Sequence, residues 1–337
     1  MTEENIEPHR PTAPLSDEAF ARASARLRGV YMKRGYDADV RRLVDDLLAG
    51  TAAGREGRAI LLAGRTGAGK SSIAGKALRD NAGLGEVGVD EVPVLSVVVP
   101  APCTLKQLAR QVARDLGYPM AGDPREHNAW ERVRYLLADA NVRILHLDEI
   151  QHITSTANAP EAVKVLNVLK GLMIDPRHPV SLLLSGLPEV IKFVEKDGQV
   201  RRRCHFVHVG RIASDENAVV ADAVAAMAGK VDLKVPDDFL KVIVPRLVHA
   251  AEGQFGTAMD LAATAIERAL VPRGDKGERL PPAASLDIRH FAETYQLRTG
   301  APSFADPFTA SDWKKIDVGL VLGRGAPEFK ANGKGKG

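Results

Sequence analysis

Between Ala59 and Leu78 the chain reads AILLAGRTGAGKSSIAGKAL: a short apolar run, a glycine-rich turn, then a lysine, two serines and a helical pattern. An uninterrupted apolar run suits a strand buried on both faces of a parallel sheet. Glycines permit a turn that residues with side chains resist. From Gly64 to Ser71 the segment fits G-x-x-x-x-G-K-[ST] without a gap. In that pattern the glycines let backbone N–H groups turn inward around phosphate oxygens, the lysine reaches the β- and γ-phosphates, and the final hydroxyl ligates Mg2+. The following helix points its N-terminus at the same anion. Gly64, Thr66, Gly67, Ala68, Gly69, Lys70, Ser71 and Ser72 are therefore the expected nucleotide-binding residues.

Such a site needs an acidic half, and VRILHLDEI (142–150) supplies one. An apolar strand delivers Asp148 at its C-terminal end, where open α/β sheets bind ligands. Ser71 and Asp148 are the expected metal ligands, and Glu149 is placed to orient or polarise an attacking water. His146, in mid-strand, reads as core packing, and His152 as a loop residue. In LLLSGLPEVI, Ser185 ends another apolar strand near the expected γ-phosphate position, suited to sensing the phosphate or positioning water. Further on, QVRRRCHFVHV places Arg201, Arg202 and Arg203 just before a strand. Three adjacent guanidinium groups read either as a solvated patch or as the source of an arginine finger for a neighbouring subunit's nucleotide. The sequence does not choose among the three.

Around these motifs, short apolar runs alternate with longer amphipathic ones, which argues for a parallel sheet with helices on both faces. The expected strands are Ala59–Ala63, Val92–Val99, Val142–Leu147, Val180–Ser185 and the HFVHVG run. Val92–Val99 reads as buried on both faces. Beyond Arg211 only helical periodicity remains. The expected organisation is an N-terminal arm and helix (1–34, capped at Ser16), an α/β core (35–212), a helical lid (213–300) and a flexible tail (301–337). With 337 residues there is length for one large and one small domain. The net charge of only +3 means that any nucleic-acid affinity comes from a local patch. Cys103 and Cys204 alone build neither a disulfide framework nor a four-cysteine zinc site, which fits a reducing, cytoplasmic setting. No apolar run is long enough to cross a membrane, and the acidic, proline-bearing start lacks the features of a secretory signal.

The order of phosphate motif, HLDEIQHI, LNVLKGL, LLLSGLPEV, arginine cluster and helical segment resembles an AAA+ ATPase. More narrowly it is similar to the TniB/TnsC group of transposition regulators, relatives of the Mu B protein. VVVPAPCTLKQLARQVARDLGYP, DEIQHI with VLNVLKGL, and DPFTASDWKKID carry the narrower likeness, which spans about residues 35–315. The resemblance implies a P-loop NTPase with an AAA+-type parallel sheet flanked by helices and a small C-terminal all-helical lid. It implies ATP and Mg2+ at the site, and self-assembly as a ring or filament on double-stranded DNA without sequence readout. It also implies recruitment of a DDE-type transposase, and disassembly on hydrolysis. The residues corresponding to the family's DNA contacts are Thr104, Lys106 and Arg110, early in the helix after the second strand. One departure stands out: GQFGTAMDLAATA has Thr257 or Met259 where many AAA+ proteins carry a second sensor arginine. The alternative reading is a nucleotide-operated signalling or defence switch without DNA, against which the short segment after the lid counts.

Overall fold

The computed structural model describes residues 13–81, 91–154 and 159–319. They divide into two units: residues 33–210, and residues 13–32 together with 211–319. Helix α1 (Asp17–Arg28) belongs to the second unit, and α2 (Gly35–Ala52) opens the first. There follow β1 (Ala59–Gly64), α3 (Lys70–Arg79), β2 (Val94–Val98), α4 (Leu105–Asp115) and α5 (Glu126–Asp139). Next come β3 (Ile144–Asp148), α6 (Gln151–Thr154), α7 (Ala159–Met173) and β4 (Ser181–Gly186). Two short helices, α8 (Glu189–Val194) and α9 (Gly198–Arg201), lead into β5 (Cys204–Val209).

The five strands pair in parallel in the order β2-β3-β4-β1-β5. From β1 the chain crosses to the far edge, returns strand by strand, and then adds β5 outside β1. Connections therefore diverge beside the C-terminal ends of β1 and β4, the crevice where open α/β sheets hold ligands. Side-chain alternation sorts the sheet into two cores. Ile60, Leu62, Ile144 and Leu183 pack with Val44 of α2 and Ile73 of α3. Leu61, Leu145, Leu147 and Leu184 pack with Leu108 of α4, Val133 of α5 and Leu169 of α7. Each such side chain, fully buried, contributes about 1.5–3 kcal/mol. β1, β3 and β4 are buried along their whole length, as their unbroken apolar runs predict. β2 is not. It lies at the sheet edge with alternating burial, and Val98 is 65% exposed. The expectation of a strand covered on both faces fails because, among the described residues, the α2/α3 layer reaches Val94 at its start but leaves Val98 at its end uncovered.

In the second unit α1 packs with α10 (Asn217–Gly229), α11 (Phe239–Val242), α12 (Val244–Ala250), α13 (Phe255–Leu270) and α14 (Ile288–Thr299). The expected N-cap of α1 is present, with the Ala19 amide donating to Ser16 Oγ at 3.2 Å. Leu27 is fully buried among Val224, Leu247 and Ile266 of this unit's core. Arg28 donates to both carboxylate oxygens of Glu267, at 2.7 and 2.8 Å, and Ser24 Oγ donates to the same group at 2.6 Å. A separate arm over 1–34 is therefore corrected: its helix is part of the helical unit. Residues 1–12 lie outside the described residues. The run PDDFLKVIVPRLVHAAEG, periodic enough for one helix, splits into α11 and α12. Pro245 lacks an N–H and suits a helix start rather than its interior.

The C-terminal tail also departs from expectation, over 301–319. Phe308 is 4% exposed, stacks on Phe291 at 5.5 Å and meets Tyr295 edge-on at 6.1 Å. Arg246 donates to the carbonyls of Pro307 (2.6 Å) and Ala310 (3.0 Å), and its guanidinium lies over Trp313. His249 bonds the Ile316 carbonyl at 3.0 Å. The motif DPFTASDWKKID is thus a strap fastened by aromatic burial and backbone hydrogen bonds, and KANGKGKG lies outside the described residues. Phe308→Ala should lower the unfolding free energy by about 3–5 kcal/mol in a urea titration, against less than about 0.5 kcal/mol for a side chain on an unattached tail.

Candidate functional site

Between β1 and α3 the backbone turns through two positive-φ glycines, Gly67 (φ 77°) and Gly69 (φ 97°). A residue with a Cβ pays for that conformation and glycine does not. Nothing lies within 4 Å of where a Cβ on Gly69 would stand, so the space beside that glycine is open. The first intrahelical bond of α3 runs from the Ile73 amide to the Gly69 carbonyl, at 3.0 Å. The amides of Lys70, Ser71 and Ser72 precede it and face the N-terminal end with no side-chain cap. Lys70 is 5% exposed and folds back, donating from Nζ to the Gly64 (3.0 Å) and Arg65 (3.1 Å) carbonyls. Ala68 is buried beneath the turn, and Thr66, Ser71 and Ser72 are exposed.

The acidic half converges on the same end of the sheet. Asp148 is 8% exposed; its Oδ1 accepts from Ser185 Oγ at 2.7 Å and from the Glu149 amide at 3.0 Å. The Ser71 hydroxyl lies beside the same carboxylate and favours its charged form. Burial alone would raise the Asp148 carboxyl; the hydroxyls of Ser71 and Ser185 outweigh it and hold the group below the usual carboxylate range. For Lys70 burial wins, pulling the ammonium below its ordinary value against the attraction of Glu149 and Asp148. Glu149 stands in the left-handed region at φ 57°, a strained conformation for a residue with a long side chain. Gln151 donates from Nε2 to Glu149 Oε2 and accepts from the Leu187 amide at 3.2 Å. Gly186 leaves room for this clamp: a Cβ there would stand 2.9 Å from Gln151 Oε1 and from Ile150 Cγ2.

One residue read as packing and one not singled out carry part of this geometry. His146 is not simple packing, since its Nε2 lies 2.9 Å from Ser185 Oγ and its Nδ1 3.3 Å from Ser96 Oγ. Gln151 had no signal beyond lying two residues after Glu149. His152, expected in a loop, lies instead in the short helix α6, with Nδ1 2.9 Å from the Val99 carbonyl. Cys103 and Cys204 are in no disulfide, and burial pushes their thiols up to about 11 and about 12, away from the reactive thiolate form.

Other expected site residues lie elsewhere. Arg201, Arg202 and Arg203 stand at the strand-start edge, where the Arg203 carbonyl accepts from the first residue of β1. They are a strand length, about 20 Å, from the phosphate turn of their own chain. Arg203 is paired with Glu56 at 2.6 Å; Arg201 and Arg202 are exposed, with Arg201 3.8 Å from Glu195. Thr104 caps α4, accepting from the Gln107 amide at 3.3 Å. Lys106 and Arg110 both face Asp123, at 2.5 and 3.6 Å, and Arg110 also donates to the Gly122 carbonyl at 2.7 Å. These two cations are held by a local counter-charge rather than standing bare.

The open turn, the tucked lysine and a hydroxyl–carboxylate pair of Ser71 and Asp148 fit a nucleoside triphosphate with Mg2+. A family model described as bacterial TniB protein matches residues 30–213. Among solved structures the chain is similar to ORC2 of Aeropyrum pernix in its ADPNP–ADP complexes, at 16% identity and TM-score 0.58, covering 81% of this chain and 70% of that one. It is similar to A. pernix ORC1 in complex with DNA, at 19% identity and TM-score 0.57, over 84% of this chain and 73% of that one. Cdc6p of Pyrobaculum aerophilum gives 12% identity and TM-score 0.58, over 84% and 75%. At these identities the likeness shows the fold: an AAA+ P-loop NTPase with a helical C-terminal region. Among curated protein sequences none matches the chain significantly. No helix among the described residues is long and apolar enough to cross a membrane. Lys70→Ala should abolish ATP binding, measured by titration with a fluorescent ATP analogue and Mg2+. Retained affinity would overturn the assignment of the phosphate turn.

Proposed function

Since the chain belongs to the TniB family, we propose that it is a cytoplasmic ATPase that assembles on double-stranded DNA and regulates transposition. The observation that carries this reading is the convergence of Lys70, Ser71, Asp148 and Glu149 at one end of the sheet, with Glu149 clamped by Gln151. A site built only to hold nucleotide has no need of a carboxylate kept at a strained φ. In this role the phosphate turn and Lys70 hold the triphosphate, and Ser71 and Asp148 hold the metal ion. Mg2+, when bound, neutralises charge on the phosphates. Glu149 orients the attacking water and Ser185 donates a hydrogen bond on the phosphate side. An arginine from an adjacent copy completes the site; the exposed Arg201, held only at 3.8 Å by Glu195, and Arg202 suit that better than the half-buried Arg203, already paired with Glu56 at 2.6 Å.

One structural neighbour was solved in complex with DNA, which supports a DNA-bound assembly here as a ring or filament. Lys106 and Arg110, with Thr104 at the helix start, are the proposed phosphate contacts, and they would exchange Asp123 for the backbone. Contacts of this kind position a protein on the duplex and carry no base readout. A DDE-type transposase is the proposed partner, recruited by the assembly and released as hydrolysis takes it apart.

Sedimentation of the full chain with a random duplex, ATP and Mg2+ over a salt series tests the assembly. DNA-dependent oligomers that need ATP and weaken as salt rises are expected, because phosphate contacts release counterions. A nucleotide-binding monomer indifferent to DNA would favour the signalling switch instead. Glu149→Gln should keep ATP binding, lower turnover by about 100-fold or more, and trap the oligomer on DNA. Normal turnover in that variant would remove Glu149 from the chemistry.

A further inference from the structure

Ser96, His146, Ser185 and Asp148 form a continuous row of polar groups on one face of the sheet, from edge strand β2 to the end of β3. Counting hydrogens fixes its direction. An ionised carboxylate only accepts, and a serine has one O–H. At 2.7 Å from Asp148, Ser185 spends its proton on the carboxylate. His146 Nε2, 2.9 Å from the same Oγ, must therefore carry a hydrogen and donate it. In a neutral imidazole Nδ1 is then bare, and it accepts from Ser96 Oγ at 3.3 Å. The opposite tautomer would set a lone pair on Nε2 against a lone pair on Ser185. His146 is 5% exposed, so water cannot take the place of these partners freely.

We propose that His146 is a positioning residue of the nucleotide site: by filling the acceptor side of Ser185 it makes that hydroxyl a one-way donor, and so sets the preference for nucleoside triphosphate over diphosphate. The proposal rests on reading the site as an ATP site with Ser185 on its phosphate side. In the structure the donor serves Asp148. A terminal phosphate, which offers only acceptors, is the alternative recipient, and a diphosphate lacks that group. Without His146 the Ser185 hydroxyl is free to rotate toward other acceptors, and the discrimination falls.

Two measurements on the full chain test this. In protein labelled with 15N-histidine, long-range 1H–15N correlations should show His146 as the neutral Nε2–H tautomer, its resonance identified by its loss in His146→Gln. An Nδ1–H tautomer would overturn the proposal. The second is the ratio of ATPγS to ADP affinity, each with Mg2+. His146→Asn retains an amide beside Ser96 but is too short to reach Ser185, and should cut the ratio about tenfold, the scale of one hydrogen bond to a charged group. His146→Gln restores a donor at the distance of Nε2 and should stay within about threefold of the wild type. Ser185→Ala should match His146→Asn, and the double variant should be no worse than Ser185→Ala alone. An unchanged ratio in His146→Asn, with the wild type still preferring ATPγS, overturns the positioning role and leaves the ATP site standing. Failure of the wild type to bind either nucleotide overturns the site reading itself, and this role with it.

Discussion

A carboxylate taken out of water must be met by donors, and Asp148 accepts from Ser185 and the Glu149 amide with the Ser71 hydroxyl beside it. Ser71 reaches it from the first turn of α3, Ser185 from β4, and the Glu149 amide from the next residue of its own chain. The need to satisfy one buried charge therefore ties the phosphate turn, two strands and the Glu149 loop to one another. Glu149, at its left-handed φ, bonds Asp148 through its amide and Gln151 through its side chain. Other features of the crevice, including the narrow space at Gly186, are arranged around that demand.

Much of this was readable in the sequence because its causes are local. A turn of glycines followed by lysine and serine has one economical geometry, and an apolar run ending in two acids places both at a strand end. What escaped reading depends on register. His146 looked like packing because its partners, Ser96 and Ser185, sit on neighbouring strands some 40 to 50 residues away in the chain. Val98 looked buried because the strand order, which leaves β2 at an edge, is not written in β2 itself. Lys106 and Arg110 looked like bare cations, but Asp123 comes from the loop before α5.

The helical unit shows the same division. Ser16 capped α1 as expected, because a cap is decided within four residues. That α1 belongs with α13 was hidden, since the decisive contact is the two-pronged pairing of Arg28 with Glu267 far along the chain. Proline and glycine content made 301–337 look loose. Yet Phe308 finds Phe291 and Tyr295, and Asp306 is buried with bonds from the Phe308 amide and Gln296. A few aromatic residues outweigh a composition that otherwise resembles linker.

In a parallel sheet every strand starts at one edge and finishes at the other, so Arg201–Arg203 and the phosphate turn lie at opposite poles of the unit. A contact carrying the arginines of one copy to the phosphate turn of the next joins two unlike surfaces. Copies joined that way point in the same direction. An open row of them has two chemically different ends, one presenting an uncompleted phosphate turn and the other an unused arginine cluster. In the assembly proposed above, growth and loss would then differ between the two ends, its direction set by the strand orientation of a single sheet.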